Sequence, residues 1–318
     1  MPLALLALIA AQITATVNDT ITLDTPTGKI AGTLVVPASS KPVPLVVIIA
    51  GSGPTNRDGN STLLPGANNS LKLLAEGLRD RGIATLRYDK RGIAESVKAG
   101  VSEAALRFDM FANDAAGWVQ KLRPDARFST ITILGHSEGS LLGMLATPRG
   151  QADAFVSIAG AGRPASVLLR EQLGKQPLTP DLLAFSNHAL DALVAGRTVD
   201  SVPPALAALF RPSVQPYLIS WLPLDPAALI KALAVPVLIT QGATDSQVSV
   251  RDAELLAAAQ PKAKLVIVNG MNHVLKTPAG TDPASQQASY SDPSLPVARE
   301  LIEAIATFVQ SVPRRTGK

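Results

Sequence analysis

Cysteine is absent from the 318-residue chain, which excludes disulfides, thiolate catalysis and cysteine-ligated metals. Histidine is scarce as well. His136, His188 and His273 lie far apart in sequence, an arrangement that argues against a multi-histidine metal site. Aromatic residues make up only 4% of the chain, too few for a ladder on which bases would stack. The net charge is a modest +4 with no dense Lys/Arg run, so a nucleic-acid partner is not expected. The apolar run Leu3–Ala11 in "MPLALLALIAAQ" is well short of the roughly 20 residues that span a bilayer, so no stable membrane span is expected. Its length and the small residues that end it match the apolar core of a signal peptide. Residues 1–15 are therefore expected to be a signal peptide or N-terminal apolar segment, and the protein to be exported, periplasmic or secreted.

The rest of the chain has the composition of a globular protein, 47% hydrophobic and 17% charged. The stretch "DTITLDTPTGKIAGTLVVP" carries two β-branched runs around a turn at Pro26–Gly28, which reads as a hairpin. Continuous apolar runs then alternate with helical patterns: "VPLVVIIAGSGP" around Leu45–Ala50, "GIATLRYD", "STITILG", "ADAFVSIAG", "VPVLITQG" and "AKLVIVNG". Such runs fit strands buried on both faces of a mostly parallel sheet with helices on either side. From about Gly162 to Leu233 the strand pattern gives way to a Leu/Ala-rich stretch broken by nine prolines, expected to form short helices joined by proline turns. A closing helix is expected over about Pro296–Gln310.

Gly135-His136-Ser137-Glu138-Gly139 follows an apolar run and opens a helical one. In that context the pattern is a sharp turn that exposes its central serine at the sheet edge. Residues two before and two after the serine crowd together, so both must lack side chains. Ser137 is thus the candidate nucleophile. His136 is adjacent in sequence, but a sharp turn is expected to project its side chain away from Ser137. His188 falls in the helical stretch. His273, in the loop directly after strand 264–268, stands where an open α/β sheet places its functional residues and is the candidate base. Asp245, just beyond strand 235–240, is the candidate acid that orients it. Asp252 and Glu254 are rivals, but they fall in the first turn of the next helix, where acids favour the dipole. The oxyanion of an acyl-transfer intermediate needs N–H donors. Glu138 supplies one, and Ser52 in "AGSGPTNRDGN" is expected to supply the other, with Gly53 in reserve. Lys90 and Arg91 of "RYDKRG" could face an acidic substrate, but residues at such a position more often pair with local acids such as Asp58 or Asp89.

The motifs "AGSGPTNRDG", "RYDKRG", "GHSEGS", "GATD" and "GMNH" make residues 19–310 resemble an α/β-hydrolase, of the group that holds serine esterases and acylaminopeptidase-like enzymes. "GSGPTNRDG" is similar to the oxyanion loop of bacterial carboxylesterases, although Ala50-Gly51 stands where many lipases carry His-Gly. The order Ser, Asp, His along the chain is the one this resemblance implies. So are an eight-stranded sheet and a helical cap. The expected layout is residues 16–161 as the first part of the core, 162–233 as the cap insertion and 234–318 as the second part. The expected activity is cofactor-free, metal-free hydrolysis of small-molecule esters through an acyl-enzyme. Peptidase or thioesterase chemistry would use the same triad, and a non-catalytic binding protein on the same fold is a further alternative. Gly51, Gly53, Phe210, Tyr217 and Trp221 are candidate substrate contacts.

Overall fold

The computed structural model describes residues 17–63, 66–280 and 282–314. The expected signal peptide lies outside the described residues. Eight strands form one sheet: β1 Val17–Thr25, β2 Gly28–Val36, β3 Val43–Ile49, β4 Ala84–Tyr88, β5 Phe128–His136, β6 Ala154–Ile158, β7 Val237–Gly242 and β8 Lys264–Val268. Their spatial order is β1-β2-β4-β3-β5-β6-β7-β8. The β1–β2 hairpin is antiparallel and β2 pairs antiparallel with β4, while every pair from β4 to β8 is parallel. This is the α/β-hydrolase fold. Eleven α-helices are described: α1 Ser70–Arg79, α2 Phe108–Leu122, α3 Glu138–Gly150, α4 Ala165–Gly174, α5 Pro180–Val194, α6 Ala207–Phe210, α7 Gln215–Trp221, α8 Pro226–Lys231, α9 Val250–Ala259, α10 Pro283–Ser289 and α11 Arg299–Ser311.

The continuous apolar runs become central strands because both faces of the sheet are covered. On one face β3 and β5 pack through Leu45, Val47, Ile131 and Ile133 against Phe108 and Trp118 of α2, Leu142 of α3 and Leu256 of α9. On the other, Val46, Ile48 and Leu134 meet Leu71, Leu74 and Leu78 of α1 and Leu301 and Ile305 of α11. Each such fully buried side chain contributes roughly 1.5–3 kcal/mol relative to exposure. Strand β8 departs from its sequence pattern. It is the edge strand, so Lys264 and Leu265 are exposed and only Val268 is buried.

Between β6 and β7 the chain is helical, as α4 to α8. These helices carry a core of their own, built on Leu190, Leu193, Phe210, Leu218 and Leu222. Pro180, Pro216 and Pro226 each sit in the first turn of their helix, where the missing N–H costs nothing. Because β3 to β8 run parallel, the residues that follow β3, β4, β5, β7 and β8 gather at one edge of the sheet. Ser52, Lys90, Ser137, Asp245 and His273 are those residues.

Candidate active site

Ser137 joins β5 to α3 with φ 56° and ψ −121°, a backbone conformation sparsely populated by any residue with a side chain. The surrounding structure holds it there. Its N–H donates to the Ile158 carbonyl at 2.9 Å, and its own carbonyl accepts from Ser140 at 2.9 Å. The two motif glycines make the turn possible. A Cβ on Gly135 would lie 2.0 Å from the Gly139 carbonyl oxygen, and one on Gly139 would lie 2.4 Å from that of Ile49. Glu138 is the first residue of α3, so its N–H has no carbonyl one turn behind it in the helix.

His273 and Asp245 meet after a separation of 28 residues. The His273 Nδ1–H donates to Asp245 Oδ2 at 2.8 Å, and both side chains are buried. Asp245 also accepts from the N–H groups of Gln247 (2.8 Å) and Val248 (3.0 Å) and from Gln241 Nε2 (3.1 Å). Burial works to raise the Asp245 pKa, but the hydrogen bond and charge of His273 and those two backbone N–H groups outweigh it. The carboxyl is held below its ordinary range. With Nδ1 tied to Asp245, Nε2 is the ring nitrogen left to face the cavity. Ser137, His273, Gly51, Ser52 and Gly53 all line one cavity of about 750 Å³. Asp252 and Glu254 stand apart from this group. Asp252 is in the first turn of α9 and holds Arg163 and the Gly162 N–H.

His136 is closer to this arrangement than its position in a sharp turn suggested. Its Nε2–H donates to the backbone carbonyl of His273 at 2.8 Å, and the two rings lie 4.9 Å apart between centroids. Burial, followed by the neighbouring His273, pushes the His136 pKa down to about 3. The ring is therefore a neutral strut under the His273 loop, with its proton on Nε2. A contact across 137 residues left no local signal in the sequence.

Lys90 and Arg91 point inward. Arg91 is a buried partner of Asp114, with bonds of 2.8 and 2.5 Å. Lys90 Nζ donates to the Gly51 carbonyl at 2.6 Å and to Glu138 Oε1 at 3.1 Å, and it sits 5.4 Å over the Phe111 ring. The other Glu138 oxygen accepts from the Tyr217 hydroxyl at 3.2 Å. One buried chain of polar contacts thus links the loop after β3, the serine turn and helix α7. The expected acids took other partners: Asp58 pairs with Arg87, and Asp89 with Arg57.

Two of the expected substrate contacts need correction. Phe210 is fully buried in the core of the α4–α8 segment, edge-on to Phe185, and is out of reach of the cavity. Tyr217 packs against Phe108 and Phe111 and spends its hydroxyl on Glu138. Both were chosen as large apolar residues of the insertion, and both serve its packing instead. Trp221 stacks on Phe108 yet still borders a second cavity beside Ser137. Among the described residues, no cluster of three or more His, Asp or Glu side chains could hold a metal ion. Nor is any helix long and apolar enough to cross a membrane.

A parallel sheet in this order, with a strained serine after β5 and a histidine–aspartate pair after β8 and β7, is the arrangement of the α/β-hydrolase fold. Residues 66–197 match the model of the serine aminopeptidase family S33. The chain is 30% identical to esterase EstD of Thermotoga maritima over 247 residues, 77% of this chain and 57% of that protein. It thus spans somewhat more than half the length of that relative. Among solved structures it resembles Est1E from Butyrivibrio proteoclasticus, with a TM-score of 0.58 and 17% identity over 92% of this chain and 97% of that one. It also resembles the α/β hydrolase GrgF from Penicillium sp. sh18, with a TM-score of 0.53 and 18% identity over 81% and 91% of the two chains.

Proposed function

We propose that the protein is a serine carboxylesterase acting on small or medium acyl or aromatic esters. The observation that carries this is the strained Ser137 sharing one cavity with a His273 oriented by buried Asp245. In the proposed cycle Ser137 Oγ attacks the ester carbonyl carbon while His273 Nε2 takes its proton. The N–H groups of Ser52 and Glu138 receive the oxyanion. Collapse breaks the bond to the alcohol, which leaves with the proton returned by His273. Water, deprotonated by the same nitrogen, then attacks the acyl-enzyme and frees the acid and Ser137. The resemblance to EstD supports ester substrates, and the structure of Est1E with bound ferulic acid makes aromatic acids a reasonable part of the range.

The S33 match raises aminopeptidase chemistry as a second reading. That activity needs a carboxylate to anchor a free amino terminus. Among the described residues none lines the larger cavity, and Glu138 is already committed to Lys90 and Tyr217. We further propose that residues 1–15 direct export. N-terminal sequencing of protein from its native host tests this, and an intact Met1 would overturn it. The enzymatic reading is tested by p-nitrophenyl esters of graded acyl length beside aminoacyl anilides and acyl thioesters. Ester cleavage is expected to dominate and to vanish in Ser137→Ala.

A further inference from the structure

Two cavities meet at Ser137, and they differ in size and in the side chains that line them. The larger, about 750 Å³, is lined by His273 and mostly by neutral hydrogen-bonding side chains, among them Asn68, Thr244, Ser246, Gln287 and Tyr290, with Leu63, Val274 and Pro283 between them. No Lys, Arg, Asp or Glu borders it among the described residues. The smaller, about 200 Å³, is walled mainly by Leu141, Leu168, Leu169, Trp221 and Pro226, with Gln172 at its side. Its two charged neighbours are neutralised: Glu138 by Lys90, and Arg163 by Asp252 and Glu171. The two cavities share Ser52, Ser137 and Gln247, but only the larger contains His273 and only the smaller contains Glu138.

The chemistry of acyl transfer assigns a substrate half to each. His273 must hand its proton to the departing alcohol oxygen, so the alcohol lies on the His273 side. The carbonyl oxygen points at the N–H groups of Ser52 and Glu138. The acyl chain is then left with the apolar cavity that Glu138 borders. An apolar cavity of about 150 Å³ accepts benzene, so about 200 Å³ suits a short alkyl chain or a single ring. On the alcohol side, amides and hydroxyls that both donate and accept match an alcohol bearing several further hydroxyls. A charged alcohol would be desolvated there without a counter-charge. A long alkyl alcohol would strip water from side chains such as Ser246 and Gln287 and give them no partner.

We infer that the substrate is an ester of a short apolar acid with a neutral, polyhydroxylated, sugar-like alcohol. This rests on the esterase reading above. The test compares two esters that join similar halves in opposite senses, a methyl glucoside butyrate and butyl gluconate. Dodecyl butyrate and p-nitrophenyl butyrate complete the set. The glucoside butyrate is expected to exceed both butyl gluconate and dodecyl butyrate in kcat/KM by about tenfold or more. Gln287→Leu, a substitution at an exposed position, should lower the glucoside-to-dodecyl ratio about tenfold, as the loss of a hydrogen bond predicts. Leu168→Trp, at a partly exposed position, should shift acyl preference on the glucoside from hexanoyl toward acetyl. Equal or better turnover of butyl gluconate or dodecyl butyrate overturns the assignment, as does a ratio unmoved by Gln287→Leu. If p-nitrophenyl butyrate is not cleaved, or is cleaved equally by Ser137→Ala, the esterase reading itself has failed and the inference falls with it.

Discussion

Replacing Lys90 by Met keeps an unbranched apolar stem and removes one charge from a buried site. Lys90 is 3% exposed, and its Nζ is shared between the Gly51 carbonyl at 2.6 Å and Glu138 Oε1 at 3.1 Å. Glu138 is itself buried, so Lys90→Met leaves a carboxylate whose remaining side-chain hydrogen bond is to the neutral Tyr217 hydroxyl. Breaking a buried ion pair from one side costs about 3–5 kcal/mol. At roughly 2–3 °C per kcal/mol for a chain of this size, Tm should fall by about 6–15 °C. The Gly51 carbonyl loses its charged donor as well, and Ser52, the proposed second oxyanion donor, is the next residue. A displaced donor should lower kcat for p-nitrophenyl butyrate by about 10–10²-fold. Adding Glu138→Gln removes the stranded charge and should restore part of the stability, giving a coupling of at least about 1 kcal/mol in the double-mutant cycle. Melting curves and steady-state kinetics on the four proteins are the assay. A Lys90→Met protein within about 0.5 kcal/mol of wild type, with unchanged turnover, would show that the Lys90–Glu138 pair does not hold this loop.

The other expected outcomes concern the two residues that hold His273. The His136 pKa of about 3 lies below the roughly 6.5 of an unfolded histidine. Between these values the unfolded chain binds a proton that the native chain refuses, so stability falls as pH falls, by at most about 1.4 kcal/mol per unit. Urea unfolding from pH 7.5 to 4.5 should show that slope in wild type and a shallower one in His136→Gln; equal slopes would remove His136 as the source. The Asp245 contribution has its own window. Its lowered pKa makes its stabilisation complete above about pH 4 and lost only as pH drops through the folded value. Asp245→Asn should retain the fold but misorient the His273 ring, lowering kcat by roughly 10³–10⁴-fold. A loss under tenfold would contradict the role given to it.

The central strands were legible because a sheet covered on both faces needs unbroken apolar runs, and Leu45–Ile49 and Ile131–Leu134 supply them. Strand β8 misled, since its edge position is set by strand order, which no local pattern encodes. The meeting of His273 with Asp245 was readable because both follow apolar runs of one parallel sheet. The Lys90–Glu138–Tyr217 chain and the His136 strut were not. Their partners are 48, 79 and 137 residues apart, and charge or aromaticity alone does not say which distant atom a side chain will meet. Phe210 shows the opposite error, in which size and apolarity read as a substrate wall where the insertion needed its own core.

In the proposed cycle Ser137 becomes acylated, with His273, held by Asp245, moving the proton. Rapid acid quench of the enzyme with p-nitrophenyl butyrate, followed by digestion and mass spectrometry, tests it most directly. One butyryl group is expected on the peptide that holds Ser137, removable by hydroxylamine, present in His136→Gln and absent in Ser137→Ala. Turnover without any such adduct, or an adduct on a different residue, would contradict it.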